Sequence, residues 1–124
     1  MSFDDYHENA YMINIEKNIN ILRPFFRNFN EFKEFSELPD KEFDKKLYEY
    51  IEDVGPEGKM KFEEHEYYVR FIDTHGLPKS CDPPPWGYYL AFWTEDLFSM
   101  QPTPFKIYLS KLKLEPVEYD WMSN

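Results

Sequence analysis

The chain is predicted to adopt an α+β fold, with N-terminal helices packed on one face of a C-terminal antiparallel sheet of three to five strands. Three observations predict it. Apolar residues in the first half recur at steps of three and four, the period of a helix face. Apolar residues after Gly58 alternate with polar ones or form short continuous runs, the signature of strands. Phe, Tyr and Trp make up 20% of the 124 residues, which supplies apolar area for one core in a chain of single-domain length. Residues 1–124 are therefore read as one domain.

The elements follow in order. Ile15, Ile19, Leu22, Phe26 and Phe29 fall at steps of 4, 3, 4 and 3, one continuous helix face, with Pro24 expected to kink or divide it. Phe29, Phe32 and Phe35 continue at steps of 3, which fits a further helical turn or a 3₁₀ stretch. Pro39 and Asp40 open a second helix running to about Val54, with Phe43, Leu47, Tyr50, Ile51 and Val54 on one face. Gly55 and Pro56 stop it.

Met60 and Phe62 suggest a short strand, and Glu63 to Glu66 the turn that follows. Tyr67, Val69 and Phe71 alternate with Tyr68, Arg70 and Ile72 in a strand of β-formers. Thr74 to Pro85 reads as loop. Gly87 to Trp93 is apolar or aromatic on both faces, as expected of a central strand covered on two sides. Thr94 to Met100 reads as a short turn or helical segment capped by Thr94. Phe105, Ile107 and Leu109 suggest another strand, bulged near Ser110 before Leu112 and Leu114. Pro116 ends it, and Tyr119 and Trp121 are expected to tuck against the body.

Charge narrows the function classes. The formal net charge is −10, from 24 acidic and 14 basic residues. Such a chain repels phosphate backbones, which argues against direct nucleic-acid binding. It attracts basic proteins instead. Mean hydropathy is −0.73, and no apolar run reaches the ~18 residues of a spanning helix; no membrane role is expected. The N-terminus has no basic segment followed by an apolar one, and Cys81 is the lone cysteine. Both point to a cytoplasmic protein without an internal disulfide.

The acid excess is concentrated. Residues up to Gly58 hold 14 acids and 7 bases; the remainder hold 10 and 7. Glu49, Glu52, Asp53 and Glu57 crowd the end of the second helix, where the helix dipole favours cations. Each costs about 0.3–1 kcal/mol at an exposed terminus. No Lys or Arg lies between Lys46 and Lys59. Lys59 or Lys61 could still fold over from the sheet to neutralise the helix end. Glu63, Glu64 and Glu66 form a second cluster. The two are expected to share one rim, with Tyr50 and Tyr67 as aromatic anchors for Arg or Lys of a partner.

Catalytic readings find little. His7, His65 and His75 lie in no ligand spacing, so neither a metal nor another cofactor is expected. Asp82 beside Cys81 disfavours a thiolate. The serines lie in no nucleophile context, and four glycines form no phosphate cradle. Pro83-Pro84-Pro85-Trp86 reads mainly as a stiff loop delivering the central strand. The chain is thus expected to be a non-enzymatic inhibitor, monomeric before complex formation. Its partner would be a basic protein, most plausibly a cationic nuclease-type bacterial toxin whose cleft an immunity protein would block. The alternative is a small regulatory or phage-type adaptor that binds a host protein through the loop around Trp86.

Overall fold

The computed structural model describes residues 6–62, 65–74, 86–93, 107 and 109–123. Strand β1 (Tyr6–Asn14) comes first, then a 3₁₀ turn (Glu16–Asn18), helix α1 (Ile19–Arg27), a 3₁₀ helix (Asn30–Phe35) and helix α2 (Asp40–Val54). Strands β2 (Glu57–Phe62), β3 (His65–Asp73), β4 (Tyr88–Trp93) and β5 (Val117–Ser123) follow. They form one five-stranded sheet in the order β2-β3-β4-β1-β5, with every pairing antiparallel. Helices packed on an antiparallel sheet make this the expected α+β fold. One strand departs from the expected order: β1 precedes the helices in sequence and sits in the sheet interior between β4 and β5.

That strand is also where the expected first helix is corrected. Ile15 ends the sheet instead of starting a helix, because its N–H bonds Tyr88 O at 2.9 Å. The Asn14 side chain then turns the chain. Its Oδ1 accepts from Lys17 N at 2.8 Å, and its carbonyl accepts from Asn18 Nδ2 at 2.8 Å. Side-chain bonding of this kind offers the backbone an alternative to helix. Pro24 lies within α1 without dividing it. Both Pro24 and Asn20, whose carbonyl loses its i+4 donor, are exposed, so that carbonyl faces solvent.

Phe32 organises the helix-side core. It is fully buried, and its ring meets those of Phe26, Phe29, Phe35, Tyr50 and Phe71 at centroid distances of 5.0 to 6.0 Å. Most of these pairs are edge-on, the favoured arrangement for ring quadrupoles. Steps of three place Phe29, Phe32 and Phe35 in one row only because this stretch is 3₁₀. The Phe29 ring closes over β2 at Gly58, where an added Cβ would stand 3.3 Å from Phe29 Cζ.

Arg27 fastens the link between the 3₁₀ helix and α2. It donates to the carbonyls of Ser36 and Leu38 at 2.6 and 2.8 Å and to Asp40 at 2.8 Å. Its guanidinium lies 4.6 Å from the Phe43 ring centroid. Gly55 ends α2 in the left-handed region at φ 58°, with its N–H on Ile51 O at 3.0 Å.

Leu90 and Phe92 of β4 point into the helix-side core, while Tyr89 and Ala91 are buried with Met12 on the other side. The expectation of a central strand covered on both faces therefore holds. Thr74, just after β3, and Gly87, just before β4, are bonded to each other: Thr74 N donates to Gly87 O at 3.0 Å, and Gly87 N donates to Thr74 Oγ1 at 2.8 Å.

One expectation near the C-terminus is corrected. Ile107 and Leu109–Lys111 are helical, not strand. Leu114 N bonds Leu109 O and Lys113 N bonds Ser110 O, with Lys113 left-handed at φ 64°. This paired closure with a buried Leu109 and Leu114 is a Schellman ending, and it mimics strand alternation in sequence. Tyr119 and Trp121 lie in β5, which pairs with β1 through seven residues. The expected Thr94–Met100 turn, the Pro83-Pro84-Pro85 run, Cys81 and His75 lie outside the described residues.

Candidate functional site

The site is the outward face of the C-terminal half of α2. At about 100° per residue, burial of Phe43, Leu47 and Ile51 turns Glu49 directly away from the core. Glu52 and Asp53 stand on either side of it. All three are exposed, and the last turn of α2 carries no basic residue. Lys46 reaches Glu49 at 3.9 Å, a loose and exposed pair worth little. The sheet lysines do not cover this ridge. Met60 and Phe62 are in the helix-side core, so the alternating Lys59 and Lys61 face away from the helices.

Both flanks of the ridge join a tyrosine to a carboxylate. On one flank Tyr88, the first residue of β4, donates its hydroxyl to Glu52 and stacks on Tyr48 with ring centroids 4.7 Å apart. Burial, the Glu52 bond and the charges of Glu52, Asp73 and Glu16 all raise the Tyr88 pKa. Tyr48 is pushed up to about 12 by burial and by the charges of Asp44 and Glu16, against a smaller opposing effect of Arg23. Burial is the largest cause in both phenols, and the neighbouring carboxylates add to it. Glu16 is held there by the Tyr88 backbone N–H at 3.0 Å. Arg23 grips Asp44 through two bonds at 2.9 and 2.6 Å.

On the other flank Tyr50 donates to Glu31 Oε2 at 3.2 Å. Its pKa is raised by burial, by that bond and by the charges of Glu31 and Glu34. Beside it a shallow cleft of about 350 Å³ is lined by Asn30, Glu31, Lys33, Glu34, Phe35 and Tyr50.

The remaining expected residues are dispersed. Glu57 begins β2 on the sheet face away from the helices, where it accepts from Tyr68 Oη at 2.7 Å and lies 3.8 Å from Arg70. Glu66 is a strand residue opposite Lys61, not part of a turn. Glu57 and Glu66 bracket the hairpin. Their cross-strand partners Arg70 and Lys61 mark opposite ends of it, about 13 Å apart at some 3.4 Å per residue. Glu57 and Glu66 therefore do not adjoin, because the length of the hairpin separates them. Tyr67 is 4% exposed and packs on Phe62 and Phe92, so its place in the core keeps it from serving as an anchor. Glu63 and Glu64 lie outside the described residues.

The structure adds Glu16, Glu31, Glu34, Asp44, Asp73 and Tyr88 to the acidic region. Part of this was legible: Asp44, Tyr48 and Glu52 recur at steps of four and share one flank of α2. The contributions of Glu16, Asp73 and Tyr88 depend on sheet pairing, which leaves no local signal.

Among the described residues no group of three or more His, Cys, Asp or Glu side chains could hold a metal ion, and no helix is long and apolar enough to cross a membrane. No family model, curated protein or solved structure matches the chain.

Proposed function

We propose that the protein is a non-catalytic, acidic inhibitor that binds a basic protein in the cytoplasm. The partner class that fits best is a cationic nuclease-type bacterial toxin, blocked at its active-site cleft in the manner of an immunity protein. One observation carries the reading: Glu49, Glu52 and Asp53 stand together on the exposed face of α2 at the end where the helix dipole favours cations, with no basic residue in that last turn. A local arrangement that opposes the dipole is expected where a surface serves binding. Long-range attraction between such a ridge and a cationic cleft would raise the association rate, to 10⁸ M⁻¹s⁻¹ or about that at low salt. A phosphate-binding cleft is the natural counterpart, since carboxylates carry the same sign of charge and accept from the same Arg and Lys donors.

Capture from the native cell with the tagged full chain, eluted by stepped salt and identified by mass spectrometry, tests the reading. A basic partner released by moderate salt is expected. Retention of a partner at high salt would favour the adaptor reading, for which the 66% exposure of Trp86 is the specific observation.

A further inference from the structure

We propose that the cleft between the 3₁₀ helix and α2 receives an arginine side chain of the basic partner; this rests on the binding reading above and extends it to a second contact. At about 350 Å³ the cleft is at the small end of ligand-site volumes, roughly 300–1,000 Å³. That suits one long side chain. Its lining pairs two half-buried rings, Phe35 and Tyr50 at 6.1 Å, with the exposed carboxylates of Glu31 and Glu34. The Tyr50 hydroxyl holds Glu31 beside the rings.

These features match a guanidinium better than an ammonium. A guanidinium is flat and weakly hydrated, stacks on rings, and forks its donors to carboxylates. An ammonium gains less from the rings because its hydration shell is tighter. Lys33 lines the same cleft. Its ammonium is a like charge that opposes an incoming arginine. Two carboxylates against one ammonium leave the lining negative.

The test is a two-dimensional ¹H–¹⁵N NMR titration of the full chain with N-acetyl-arginine amide, and in parallel with N-acetyl-lysine amide. Shifts centred on residues 30–35 and on Tyr50 are expected, with the arginine amide several-fold tighter. Glu31→Gln with Glu34→Gln should weaken binding about tenfold, the summed effect of two exposed ion pairs, and Lys33→Gln should strengthen it. Equal affinity for the two amides, shifts spread over the α2 ridge, or indifference to the Glu31→Gln/Glu34→Gln change would overturn the proposal. Neutralising Glu49, Glu52 and Asp53 should leave the shifts centred on the same residues. A failed titration with partner capture intact therefore removes only the arginine cleft, while failed capture with a successful titration removes the inhibitor reading.

Discussion

The Tyr88 hydroxyl donates to the Glu52 carboxylate, so one of the exposed acids on α2 also ties that helix to the central strand of the sheet. Binding and stability are coupled at this carboxylate and not at its neighbours. Tyr88→Phe should destabilise the fold by about 1 kcal/mol, the usual net value of one hydrogen bond. Glu49→Gln should be nearly neutral. Urea unfolding of the two variants, compared at matched slopes, checks this; equal destabilisation would detach the bond from the fold.

Alkaline pH should act on the Tyr48–Tyr88 stack. A tyrosine whose folded pKa exceeds its unfolded value near 10 holds its proton more tightly when folded. Its contribution is complete below about pH 10 and is lost as pH rises through the folded value. For Tyr48 the window runs from about 10 to about 12. Urea midpoints measured across that window should fall more steeply for the wild type than for Tyr48→Phe. Parallel pH curves would mean that Tyr48 keeps an ordinary pKa.

Phe32 touches more rings than its neighbours in the row, and its side chain is fully buried. Phe32→Ala should cost about 3–5 kcal/mol, the range for deleting a buried aromatic and leaving a cavity. Phe35→Ala, half-buried, should cost distinctly less. Chemical denaturation of both ranks them, and a reversed order would contradict the packing described.

Lys113 holds a left-handed conformation at φ 64° to complete the Schellman ending after Leu109. Glycine adopts that conformation without Cβ strain. Lys113→Gly should therefore stabilise the protein by roughly 0.5–1 kcal/mol. A lower melting temperature for the variant would refute the assignment of this turn.

The helices and strand β3 were legible because each follows one period over several residues, and β4 because its continuous apolar run is long, from Tyr88 to Trp93. The 3₁₀ row at Phe29, Phe32 and Phe35 and the Gly55 stop gave equally local signals. Strand β1 was hidden for a physical reason. Its second half, Tyr11-Met12-Ile13, is buried on both faces and so lacks alternation, while Ile15 happens to fall in phase with Leu22 and Phe26. Leu109, Leu112 and Leu114 imitated a strand because a Schellman ending buries residues five apart. The ridge at Glu49, Glu52 and Asp53 could be read from helix geometry alone. The placement of Glu66 could not, since it depended on the β2–β3 register, which sets Glu66 opposite Lys61 within a strand.

The central claim is that the α2 ridge captures a basic protein by electrostatic attraction. The most direct measurement is the association rate of the captured partner with the wild type and with the Glu49→Gln/Glu52→Gln/Asp53→Asn variant, across a range of ionic strength. The account predicts a slower association for the variant at low salt, roughly tenfold, with a shallower salt dependence and rates that converge as screening increases. Identical rates and identical salt slopes for the two proteins would contradict it.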